Sequence, residues 1–162
     1  MTQASQLSYD AIREYAELIG RHHGIYNAAG RADIDGLLSR LGGRVAYHDS
    51  SESMHVRSAA DFVVFLPSFT SARRDRFTIA HELGHYFLHY LHPQLEGFAP
   101  FQRGGQSLAE TQANVFAASL LMPEAEFRVA HQATDGDKWR LAQVFDVSPA
   151  AAEVRAQVLN LA

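Results

Sequence analysis

His81-Glu82-Leu83-Gly84-His85 is the stretch on which the reading of this chain turns. On a helix its two histidines fall four residues apart on one face, so both imidazoles can close on a single metal ion. Glu82 lies one position round and borders the open side of such an ion, where a carboxylate can act on a water. From Ser71 to Tyr90 there is no Pro and a single Gly. Phe77, Ala80, Leu83, Phe87 and Leu88 recur there at helical spacing, on a face adjoining the histidines. The motif therefore sits on an amphipathic helix, and hydrolysis at a metal is the chemistry it suggests.

A catalytic site of this kind needs a third protein ligand and one open position. The chain has no cysteine, which excludes thiolate ligands, a cysteine nucleophile and disulfides, so the ligand set must be His and carboxylate. A Pro- and Gly-containing loop, His92 to Gln106, reverses the chain. A second helix, Ser107 to Met122, then carries Glu110 in its first turn, where a carboxylate also suits the helix dipole. Ala113 and Ala117 share the face of Glu110, which lets the two helices approach closely. Glu110 is the leading candidate for the third ligand, and Glu96, in the loop, is its rival. Asn114, four residues after Glu110, is placed either to orient a ligand or to bond between helices. His89, one turn beyond His85, has a structural role or extends the polar face. His22 and His23 read as solvated residues at a helix end.

The flanking sequence fills out an α+β fold. Tyr9 to Arg21 and Asp33 to Leu41 read as amphipathic helices, the second capped by Asp33 and stopped at Gly42-Gly43. The period then changes, and Arg44 to His48, Met54 to Arg57 and Asp61 to Leu66 read as three short strands. Phe62-Val63-Val64-Phe65-Leu66 is apolar at every position and belongs inside a sheet. Met54 to Arg57 alternates apolar and polar, as an edge strand does, and is the expected rail for an extended peptide. His55 on that strand is either a substrate contact or a solvent-facing residue. Arg76 is expected to hold the metal helix against the sheet by pairing with a carboxylate such as Asp61, while Arg73 and Arg74 read as a solvated cluster. Phe98 and Phe101 form a lid or fill the core. After Pro123 come a short helix to His131 and a pair, Asp137 to Phe145 and Pro149 to Leu161, whose joint has the look of a helix-turn-helix.

The run Arg76-Phe77-Thr78-Ile79-Ala80-His81-Glu82-Leu83-Gly84-His85, followed by Glu110-Thr111-Gln112-Ala113-Asn114-Val115-Phe116-Ala117 and Leu120-Leu121-Met122-Pro123, resembles the ImmA/IrrE family of metallopeptidases. The likeness spans Arg73 to Pro123 and continues more weakly at Leu141 to Ser148; before Arg73 it holds only in outline. It implies a gluzincin-like, zincin-type fold, with a small three-stranded sheet packed on a helical bundle and the metal helix at the core. It implies zinc, with manganese as the alternative, held by His81, His85 and Glu110, and Glu82 as the proton acceptor. It further implies endopeptidase cutting of a helix-turn-helix repressor in a stress, mobile-element or phage-defence response, with single-stranded DNA as a candidate activator.

At 162 residues and 47% hydrophobic, the chain suffices for one cored domain. N-terminal helices are expected over 1–43, the sheet and metal-site helices over 44–131, and a helix pair over 132–162. No stretch approaches the roughly 18 apolar residues of a membrane span, and the N-terminus lacks a continuous apolar run. A cytoplasmic enzyme with no membrane partner is expected. A net charge of −4 gives no general drive toward nucleic acid. Tyr86, Tyr90, His89, His92 and His131 are candidates for stabilising an oxyanion. The rival reading is a metal-binding regulatory module, or a DNA- or protein-docking module built on the C-terminal helix pair. In the second helix of that pair Glu153 offsets Arg155, so phosphate-driven binding would be weak.

Overall fold

Ser71 and Ser107 start the two helices that matter most. The Ser71 hydroxyl accepts from the backbone N–H of Arg74, and that of Ser107 from the N–H of Glu110, each relieving a helix start of an unpaired donor. In the computed structural model, which describes residues 2–104 and 107–161, the order is α1 (Tyr9–His22), α2 (Ile34–Arg40), β1 (Gly43–Tyr47), β2 (Glu52–Ser58), β3 (Asp61–Leu66), α3 (Ala72–His85), β4 (Ala99–Gln102), α4 (Leu108–Leu121), α5 (Glu124–Ala133), α6 (Lys138–Phe145) and α7 (Pro149–Val158). A π-helical segment, Tyr86–Leu91, prolongs α3. The last positions of the His92 to Gln106 loop, 105 and 106, lie outside the described residues. Among the described residues no helix is long and apolar enough to cross a membrane.

The α+β arrangement is the expected one, with four strands in place of three. The sheet order is β1-β3-β2-β4, with β1 parallel to β3 and the other pairs antiparallel. β4 arises inside the expected loop, where Pro100 and the flanking glycines mask the strand signal of Ala99 and Phe101. Its presence overturns the reading of Met54 to Arg57 as a free edge, because β2 is paired on both sides. Alternation reports that one face of a strand is covered; it does not report whether its edge is. Met54 and Val56 are fully buried for that reason.

Two contacts hold the metal helix. On one side, α3 meets α4 so closely that a Cβ on Gly84 would stand 3.0 Å from the Ala113 Cα and 3.2 Å from the Phe116 Cβ. On the other, Arg76 gives Nε to the Asp146 carbonyl (3.0 Å), Nη1 to that of Ala32 (3.0 Å) and Nη2 to that of Phe145 (3.3 Å). Its expected partner Asp61 pairs instead with Arg44, at 3.2 Å. The reason is that Asp146 ends α6 in the left-handed region, with φ 55, and the helix-terminal carbonyls there attract a cation. Arg73 also reaches the Asp146 carboxylate, at 3.3 Å, so of the expected solvated pair Arg74 is the exposed one and makes no ion pair among the described residues.

Beyond His85 the winding loosens, and the His92 N–H bonds to the Phe87 carbonyl five residues back, at 2.9 Å. Tyr86, Phe87, Leu88, His89 and Tyr90 are all buried as a result. Phe87 stacks on Phe116, with Tyr15 of α1 edge-on to both, which ties α1 to the metal helix and to α4.

Gly84→Val should force α3 and α4 apart. The expected loss is about 1–3 kcal/mol of stability, read as a lowered Tm, together with weakened metal uptake. An unchanged Tm and unchanged uptake would show that the crossing tolerates a side chain.

Candidate metal centre

α3 supplies His81 and His85 from one face, and the first turn of α4 supplies Glu110. Ligand atoms of these three residues all lie within 4.8 Å of one another. His81 Nε2 is 2.8 Å from Glu110 Oε2, and His85 Nε2 is 3.1 Å from Oε1. Burial pushes the Glu110 carboxyl up, but with the imidazoles protonated the hydrogen bond from His85 and the charges of His85 and His81 outweigh it and hold the group below its usual value. Glu96 stays exposed in its loop and is outside this group.

The outer nitrogens of both imidazoles are committed. His81 Nδ1 donates to Asn114 Oδ1 at 2.7 Å. The path behind His85 is longer. The backbone of Ser5 fixes the Gln112 amide: Ser5 N–H donates to Oε1 (2.9 Å) and Gln112 Nε2 donates to the Ser5 carbonyl (2.8 Å). Since Oε1 can only accept, His89 must donate to it from Nε2, at 2.9 Å. That leaves His89 Nδ1 as an acceptor for His85 Nδ1–H, 2.8 Å away. Burial pushes the His89 imidazole down to about 4, against the opposing Gln112 bond, so it is neutral at pH 7.

When the imidazoles are neutral, both Nε2 atoms are therefore lone pairs aimed at a carboxylate. Three acceptors converge with no donor between them, an arrangement that a divalent cation satisfies. Two imidazoles and one carboxylate, without a thiolate, also form a recognised catalytic donor set. The residues present fit a metal ion.

Glu82 is 3% exposed and adjoins this group. Burial raises its carboxyl above the usual range, partly offset by His85, His81 and the Ser53 hydroxyl, which donates to Oε1 at 3.1 Å. Phe101, from β4, is 3% exposed and stacks on the His85 ring with centroids 5.3 Å apart. It fills core beneath the site and is no lid. Phe98 is exposed and meets His55 edge-on.

The remaining expected site residues lie elsewhere. His55 bonds to Glu52 at 3.0 Å and makes no hydrogen bond to the group among the described residues. Arg76 is a structural clamp. Tyr90 is buried and donates its hydroxyl to the Gly97 carbonyl at 2.6 Å, while the Tyr86 hydroxyl accepts from the Ala60 N–H and its ring stacks on Phe62. His92 is exposed and His131 sits by Phe127 on α5. Of the five oxyanion candidates, His89 alone joins the group, and it does so from behind. Sequence reasoning missed Ser53, Gln112 and Ser5. His89 carried a signal, its four-residue spacing from His85; the other three carried none.

A family model described as the IrrE N-terminal-like domain, a peptidase family, matches residues 38–157. That span holds every residue of the group and its supports except Ser5. No curated protein matches the chain.

Glu110→Ala should lose its metal on dialysis while Glu96→Ala keeps it, as measured by elemental analysis. Gln112→Leu, which leaves His89 free to turn over, should weaken metal binding by roughly 10- to 100-fold in a chelator competition. Wild-type affinity in Gln112→Leu would show that the path from Ser5 to His85 has no bearing on the ion.

Proposed function

The chain belongs to the IrrE N-terminal-like family of metallopeptidases, and from that premise we propose that it is a zinc-dependent endopeptidase that cuts a helix-turn-helix transcriptional repressor at one site. The observation that carries the reading is the convergence of His81, His85 and Glu110 beside the buried carboxylate of Glu82. Zinc, when bound, supplies Lewis acidity, polarising a carbonyl and lowering the pKa of water toward about 7. Manganese is the alternative ion.

The chain's own residues do the rest. His81 and His85 present Nε2, with their direction held by Asn114 and by His89. Glu110 contributes a carboxylate oxygen from α4. Glu82 is too far round α3 to share their face; it takes the proton of the attacking water and returns it to the leaving amine nitrogen. Ser53, bonded to Glu82 Oε1, limits the rotation of that carboxylate and leaves the second oxygen for proton transfer.

Access favours a selective enzyme. His85 is 1% exposed and Glu82 3%, and the site meets the surface through His81 and Glu110, whose side chains are 16% and 15% exposed. So small an exposed edge suits a flexible linker better than a folded surface. A repressor cut between its DNA-binding and oligomerising parts would lose dimeric operator binding, since each half-site alone is weak. The repressor, its stress, mobile-element or phage-defence setting and activation by single-stranded DNA rest on the family resemblance. The docking-module alternative gains nothing from α7, whose arginine, Arg155, is buried.

Glu82→Gln should keep fold and metal while lowering turnover by about 100- to 10,000-fold, the range for loss of a general base. The check is to incubate wild-type and variant proteins with a repressor encoded beside this chain, with and without single-stranded DNA, and to follow mass and operator binding. Full activity in Glu82→Gln would remove the peptidase reading. A wild-type protein that cuts unfolded proteins freely and spares the repressor would remove the regulatory one.

A further inference from the structure

Thr2 to Gln6 form an irregular strap ahead of α1, and one of its residues joins the supports of the metal centre. The Ser5 N–H donates to Gln112 Oε1 at 2.9 Å, and the Ser5 carbonyl accepts from Gln112 Nε2 at 2.8 Å. Among the described residues these are the only hydrogen bonds from the strap to any element of the fold. Leu7, next in sequence, packs against the core, and its N–H donates to the Ser5 hydroxyl at 3.0 Å. Elsewhere the strap is loosely seated: Thr2, Gln3 and Ala4 share with Leu88, Phe98 and Phe101 the lining of a hollow of about 660 Å³.

The side chain that Ser5 grips can be set in two ways. An amide turned over exchanges its oxygen and nitrogen at nearly the same positions. With Ser5 seated one setting is allowed, because a turned Gln112 would bring its NH2 against the Ser5 N–H and its oxygen against the Ser5 carbonyl. Without Ser5 that prohibition is gone. Turned over, Gln112 would donate to His89 Nε2, the position from which it now accepts. His89 would then carry its proton on Nδ1, facing His85 Nδ1 at 2.8 Å. His85 would have to accept there and keep its own proton on Nε2. Each imidazole still holds one proton, moved between its two nitrogens, but the atom that meets the metal has become a donor.

Nothing stable lies between the two settings. Gln112, His89 and His85 are all buried, and a mixed arrangement would leave two N–H groups or two lone pairs face to face there, which is unfavourable. The row therefore switches as a unit. An element with two discrete settings, biased from both ends, couples those ends, and such coupling is reciprocal. A seated Ser5 favours the ion, and the ion favours a seated Ser5 by the same factor.

We propose that Thr2 to Gln6 are a latch on the metal centre, in which the peptide group of Ser5 sets the Gln112 amide and, through His89, keeps His85 Nε2 open to the ion. Ser5 and Gln112 are positioning residues. Whatever draws the strap from its seat loosens the ion, and whatever loads the ion draws the strap in. The latch rests on the metal centre of the peptidase reading and is independent of turnover.

The test uses the full chain, metal-free and loaded with zinc, with exchange of the Ser5 amide proton followed by NMR and zinc affinity measured by chelator competition. Zinc should slow exchange at Ser5 by about 10-fold, inside the span of roughly 5- to 150-fold usual for coupled sites. Ser5→Pro, which has no N–H to give, should weaken zinc binding by about 10-fold. Ser5→Ala keeps the peptide group and should bind zinc as the wild type does. In Gln112→Leu, exchange at Ser5 should be fast with or without zinc. Equal exchange in the two states, or wild-type affinity in Ser5→Pro, overturns the latch. So does an equal loss in Ser5→Ala and Ser5→Pro, which would assign the effect to the local fold of the strap. Zinc uptake without coupling sinks the latch alone; coupling in a wild-type protein that cuts nothing sinks the peptidase reading alone.

Discussion

The crossing of α3 and α4 at Gly84 and Ala113 is the constraint on which the rest hangs. The ligand set is divided between these helices, and His81 and His85 reach Glu110 at 2.8 and 3.1 Å only because nothing larger than a methyl group stands between the backbones. The same crossing places the supports. Gln112 and Asn114 flank Ala113 in sequence, and they serve different histidines: Asn114 holds His81 directly, and Gln112 holds His85 through His89. One small residue thus sets both the ligand distance and the outer hydrogen bonds.

Those outer bonds have a direction that cannot reverse. It begins at a peptide group, since the Ser5 N–H donates and the Ser5 carbonyl accepts whatever the pH. Each later member, Gln112, then His89, then His85, inherits one allowed orientation. Buried polar groups are unfavourable unless fully paired, and here the pairing also aims the lone pairs. The centre is preorganised by the chain before any ion arrives.

The parts legible in the sequence were those written in local periodicity. The metal helix, the pairing of His81 with His85 on one face of it, and the second helix with Glu110 in its first turn follow from three- and four-residue spacings, whereas the choice of Glu110 over Glu96 came from the family resemblance. What escaped depends on contacts between distant positions. Ser5 and Gln112 are 107 residues apart and Ser53 and Glu82 are 29 apart, beyond any window in which a pattern repeats. β4 escaped because Pro100 resembles loop, and with it went the edge status of β2. Arg76 was rightly read as a clamp, but on the wrong partner, because the attraction of a helix end for a cation is visible only once α6 is seen to end there.

Pro100 has a further effect, on how copies of the molecule meet one another. β4 is the outermost strand on its side of the sheet, the place where an incoming strand from a second molecule would add and where sheet-by-sheet aggregation begins. A proline in a four-residue strand has no N–H to offer, so that growth point is blunted. The residue that hid the strand from a reading of the sequence also takes a donor from the edge at which a second molecule's strand would add.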